Sequence, residues 1–171
     1  MIAIGDEFIY SGVGVCKVTE ITQMSFGSDT SNYYVLKPVF EASSTIYIKT
    51  DSSDLETKIR RLLTKEEIME VIRRMPAADG KWEADESKRR EQFKETLRGS
   101  DRDALGRMIK SLYLHGEETR AASKSKKVPV AEENYLKDAE KVLYEEFAYV
   151  LGIQPREVLP FIAKQLSETA E

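Results

Sequence analysis

The chain has 171 residues, of which 41% are hydrophobic and 33% charged, with a net charge of -4. That is enough apolar content for one ordinary domain or two small ones. Charge is abundant but nearly balanced, so affinity for nucleic acid would have to come from a local patch rather than a global excess of Lys and Arg. Cys16 is the only cysteine, which excludes an internal disulfide or a multi-cysteine zinc site and fits a reducing, cytoplasmic setting. The opening Met1-Ile-Ala-Ile-Gly-Asp-Glu-Phe8 has acids where a secretory signal needs bases, and no apolar run is long enough for a bilayer. The sequence therefore reads as a soluble cytoplasmic protein with no membrane attachment.

The first part of the chain predicts strands. Phe8 to Tyr10, Val15 to Ile21, Tyr33 to Leu36 and Thr45 to Lys49 are short runs rich in Ile, Val, Tyr and Thr. They are separated by Ser11-Gly-Val-Gly14, Phe26-Gly-Ser-Asp29 and Glu41-Ala-Ser-Ser44, all turn chemistry. Strands this short and this closely spaced suggest a small antiparallel barrel of the SH3 or Tudor kind over residues 1–60. In Thr45-Ile-Tyr-Ile-Lys49, alternation sends Ile46 and Ile48 to one face and Thr45, Tyr47 and Lys49 to the other. Such a strand can add to another protein's sheet by backbone pairing, or be an ordinary edge blunted by Lys49.

From residue 61 the period changes to that of helices. Thr64-Lys-Glu-Glu67 is a capping box, after which Ile68, Val71, Ile72 and Met75 recur at helical spacing up to Pro76. A second helix is predicted from Trp82, or just after it, to Leu97, with Gly99 as its stop and Ser100 as the next N-cap. A third runs from Asp101 to about Leu114, and Gly116 to Pro129 reads as an exposed loop containing Lys124, Lys126 and Lys127. Tyr135, Ala139, Val142, Leu143, Phe147 and Val150 mark a fourth helix closed by Gly152; Pro155 opens a fifth, which Pro160 should kink or shorten. The predicted class is α+β: a small β barrel, then a bundle of about five helices over residues 61–171.

No catalytic site can be assembled. His115, the sole histidine, falls at a predicted helix C-terminus and reads as structural or incidental; Cys16 reads as a buried, inert thiol. Gly12-Val-Gly14 is a turn between strands, and the Glu66-Glu67 and Glu145-Glu146 pairs are solvated helix residues. Neither an enzyme nor a cofactor is expected.

One stretch stands out. Trp82, the only tryptophan, is placed at the mouth of a helix and followed within about two turns by Lys88, Arg89 and Arg90 and a turn later by Lys94. An amphipathic ring beside a cationic face is the layout of a wedge next to a phosphate grip. The plainer alternatives are a tryptophan anchored on its own core and a helix whose bases pair with Glu91 and Glu95.

Taken together, these pieces resemble the CarD/CdnL family of bacterial RNA polymerase-binding transcription regulators. The resemblance is carried by Ile4-Gly-Asp-Glu-Phe-Ile-Tyr10, Gly12-Val-Gly-Val15, Tyr34-Val-Leu36 and Thr45-Ile-Tyr-Ile48. In the helical part it is carried by Trp82, Lys88-Arg-Arg90, Leu97, Gly99-Ser-Asp101 and Leu105 to Leu112. It implies a Tudor-like domain docking on the polymerase β subunit through Met24, Thr45, Ile46, Tyr47, Ile48 and Lys49. It also implies a helical domain that contacts promoter DNA at the upstream fork of the bubble. There, an uncovered Trp82 would enter the minor groove while Lys88, Arg89, Arg90, Lys94, Lys124, Lys126 and Lys127 hold the backbone, stabilising the open complex. The free protein would be a monomer. Relatives often carry arginine where Tyr47 stands and near Met24, and bases where Glu132 and Glu133 stand, so this chain departs from the pattern at both surfaces. The competing expectation is an adaptor that binds proteins at both ends and no DNA.

Overall fold

The computed structural model describes residues 1–123 and 125–169. It divides into two compact units, Met1–Leu63 and Thr64–Glu171. The α+β class holds, with an N-terminal antiparallel sheet followed by helices.

The first unit contains β1 (Glu7–Tyr10), β2 (Gly14–Phe26), β3 (Asp29–Pro38), β4 (Ile46–Lys49), a single-turn α1 (Leu55–Lys58) and β5 (Ile59–Arg60). The sheet order is β4-β3-β2-β1-β5, antiparallel throughout. β2 and β3 form one long hairpin closed by Gly27, whose φ of 67° suits the tight turn. Phe8, Cys16, Val18, Tyr34, Leu36 and Leu55 make its core, and Ile46 and Ile48 of one edge and Ile59 of the other pack against the same cluster. Two edges can share one core only if the sheet curls, so the barrel expectation is met by a curled sheet in which β4 and β5 remain edges.

In the second unit, α2 (Lys65–Arg74) runs into a 3-10 turn (Met75–Ala77), followed by α3 (Glu86–Arg98), α4 (Arg102–Ala122), α5 (Val130–Leu151) and α6 (Pro155–Thr169). The capping box of α2 forms as expected: Thr64 N–H donates to Glu67 Oε2 at 2.8 Å, and Glu67 N–H to Thr64 Oγ1 at 3.2 Å. The core is built from Ile68, Val71, Ile72, Phe93, Leu105, Met108, Leu112, Leu143, Phe147, Val158 and Ile162. Arg102 on α4 reaches Glu146 on α5 with two hydrogen bonds, Nε to Oε2 at 3.0 Å and Nη2 to Oε1 at 2.6 Å; Glu146 is fully buried.

Four local expectations are corrected. Trp82 lies in an irregular segment ahead of α3, because Asp85 is the N-cap, accepting from Lys88 N–H at 3.0 Å. Asp101, not Ser100, caps α4. α4 continues through Gly116 to Ala122 because that position is buried, and packing outweighs the modest cost of a glycine inside a helix. α6 is unbroken at Pro160, an exposed position where the carbonyl one turn back can turn to water. No helix among the described residues is long and apolar enough to cross a membrane.

Candidate nucleic-acid and polymerase interfaces

Three side chains of α4 fix the segment that carries Trp82. Lys110 Nζ donates to the carbonyls of Pro76 (3.2 Å) and Ala78 (2.9 Å). One turn on, Leu114 lies so close to Gly80 that a Cβ there would sit 3.1 Å from its Cδ1. The next residue, His115, stacks flat on the indole, with centroids 3.7 Å apart and planes 4° from parallel.

From α3, the Arg89 guanidinium lies over the Trp82 ring at 4.6 Å, and its Nη1 donates to the Glu83 carbonyl at 2.9 Å. Glu132, near the start of α5, faces both Arg89 and His115: Oε1 is 3.7 Å from Arg89 Nη2, and Oε2 is 3.9 Å from His115 Nε2. Phe93 touches the indole at a tilt (6.3 Å) and continues to Tyr135 (5.2 Å). Trp82 is consequently half-buried. It is neither the free-standing ring the resemblance requires nor a ring enclosed in the core.

The cations expected beside it are not arranged as one face. Arg89 is turned inward, with only 14% of its side chain exposed, and is engaged by Glu132. Arg90 pairs with Glu86 and lines a different groove with Phe93, Pro129, Ala131 and Tyr135. Helical spacing puts Arg90 and Lys94 on one flank of α3, with Lys88 well round from them. Lys88 and Lys94 are exposed and carry no ion pair among the described residues. Lys126 and Lys127 are exposed too, ahead of α5; Lys124 lies outside the described residues.

The groove that Trp82 does line contains Lys81, Arg89 and Arg107 with Gln92, Thr96, Met108 and Ser111. Lys81 and Arg107 are exposed there, and Arg107 approaches Asp101 only at 3.9 Å. Neither was singled out from sequence. Lys81 adjoins the tryptophan, which was a usable signal; Arg107 is 25 residues away and reaches it only through the packing of α4.

In the first unit, Ile46 and Ile48 face the core while Tyr47, 50% exposed, and Lys49 face outward. Thr50 N–H donates to Asn32 O, its cross-strand neighbour, at 3.0 Å. Antiparallel alternation then makes Ile48–Tyr34 and Ile46–Leu36 the hydrogen-bonded pairs and turns the N–H and C=O of Tyr47 away from β3. Thr45 accepts from Lys37 Nζ, so it is tied to β3. Met24 sits half-buried far up the β2–β3 hairpin, opposite Ser31, beyond β4's pairing.

A curled antiparallel sheet with one core and an open, outward-facing edge is the architecture expected of a small SH3- or Tudor-like barrel. Residues 2–63 match the CarD-like/TRCF RID domain model, so this N-terminal unit is similar to that family of RNA polymerase-interacting domains. No curated protein matches the chain.

Proposed function

We propose that the protein is a non-enzymatic transcription regulator that docks on the polymerase β subunit through β4 and stabilises the promoter open complex with its helical unit. The observation that carries this reading is the partly open Trp82 ring in a groove with Lys81 and Arg107, in a chain whose first unit is similar to polymerase-interacting domains. Unstacking a base step costs a few kcal/mol, so an indole entering the minor groove is useful only where the duplex is already distorted, as at the upstream fork. A few cations bind DNA weakly and in a salt-sensitive way. Docking on polymerase supplies the local concentration that such a contact needs.

The test is Trp82→Ala in an assay of open-complex lifetime on a promoter with a melted fork. Polymerase binding should survive while the added lifetime disappears. An unchanged lifetime would leave the adaptor reading, in which the helical unit binds another protein.

A further inference from the structure

Trp82 makes its closest contacts with side chains that the DNA reading leaves without a task. His115 covers one face of the indole, Arg89 lies over the ring, and the carboxylate of Glu132 joins the two. These residues come from α4, α3 and α5, so the seat is assembled by the whole middle of the helical unit.

We infer that His115 and Glu132 are positioning residues for the indole, and that protonation of His115 tightens their hold on it. The inference rests on the reading of Trp82 as the DNA-contacting ring. Histidine is the side chain whose ordinary charge change falls in the physiological range. A neutral imidazole lying flat on an indole contributes dispersion and stacking alone. Once charged, it adds a cation against the π face and becomes an ionic partner for Glu132, which now stands 3.9 Å away.

The opposing term is repulsion between His115 and Arg89, which Glu132 offsets because one oxygen faces each of them. On its own helix, the charged residue one turn from His115 is Glu118, which is exposed and of the same sign as Glu132. Acid conditions therefore favour the seated ring. Neutral to alkaline conditions leave a stack that DNA can displace more easily.

The chain has one tryptophan, so indole emission reports on this seat with no contribution from a second indole, and the His115 variants single out the histidine's share. Acrylamide quenching of the free, full-length protein is measured at about pH 5.5 and about pH 8. The wild-type quenching constant should be about threefold lower at the acid end, the size expected from one partly exposed cation–π contact. His115→Gln and Glu132→Gln should remove most of that difference. His115→Phe keeps a flat ring without a titrating proton, and should give a protected indole at both pH values. Equal wild-type constants at the two pH values, or an undiminished difference in His115→Phe, would overturn the proposal. Circular dichroism of each variant identifies any that fails to fold, in which case the wild-type profile and the remaining variants decide. No DNA enters the measurement. A normal pH response alongside an inert Trp82→Ala would remove the promoter reading and keep the seat.

Discussion

Trp82 and His115, each the only residue of its kind, lie face to face with ring centroids 3.7 Å apart. The contact joins an irregular segment to the middle of α4, 33 positions later in the chain. It explains why the indole is half covered: a large ring left fully in water would forfeit the burial that such stacking recovers.

The cations that matter to DNA should be those in the Trp82 groove. Replacing Lys81 and Arg107 with alanine is expected to reduce fork-DNA affinity evenly across sequences and to lower the salt slope by about one to two. Arg89→Ala should act differently, changing Trp82 emission while moving the salt slope little, since Arg89 is engaged by Glu132. Binding measured over a salt series, with fluorescence alongside, separates the two.

Tyr47→Pro tests the sheet edge. Proline removes the outward N–H of Tyr47 but none of the hydrogen bonds deduced between β4 and β3, so the fold should survive. Affinity for the polymerase β subunit should fall about five- to tenfold, the scale of one lost backbone hydrogen bond. Tyr47→Phe should bind nearly as well as wild type if backbone pairing dominates. Equal binding by the proline variant would exclude this edge as the docking strand.

Glu146→Ala removes the carboxylate that pairs with the Arg102 guanidinium between α4 and α5. Leaving a buried charge without its partner should cost about 3–5 kcal/mol. Chemical denaturation should show this as a lower midpoint. Arg102→Met with Glu146→Leu should recover much of the loss, because a matched apolar pair needs no desolvated charge. If the single and double variants are equally unstable, the deficit lies in packing rather than in the broken ion pair.

Tyr144 gives the helical unit an alkaline limit. Burial, and then the negative charge of Glu140, push its hydroxyl up to about 12. A folded value above the unfolded one means that the neutral phenol is favoured in the native state. That contribution is complete below the ordinary tyrosine range near 10 and disappears as the pH rises towards about 12. Denaturation midpoints across this window should fall more steeply for wild type than for Tyr144→Phe.

Much of the fold was legible because it is written in local patterns. Alternation in Ile46-Tyr47-Ile48 gave the edge strand its inward and outward faces, and Thr64 with Glu67 gave the start of α2. The errors arose where tertiary packing outweighed local preference. Gly116 reads as a stop until its burial within α4 is known, and Pro160 reads as a break until its exposure is known. The candidate site was the least legible part. Sequence proximity grouped Trp82 with Lys88, Arg89, Arg90 and Lys94, of which Arg89 lies over the ring, whereas the folded chain also brings it Lys81, Arg107, His115 and Glu132. Glu132 is 50 residues from the ring and touches it only through its partners, so no spacing rule could have found it.

Lys110, Leu114 and His115 all meet the tryptophan segment from one side of a single helix. α4 therefore acts as a ruler whose phase sets where the indole stands. Inserting one residue between Lys110 and Leu114 would swing His115 by about 100° and uncouple the ring from its tether. Substitution in this stretch keeps that spacing, whereas an insertion or deletion, which shifts the later residues by about 1.5 Å along the axis as well as about 100° around it, would misplace the tryptophan without unfolding the helix that carries its support.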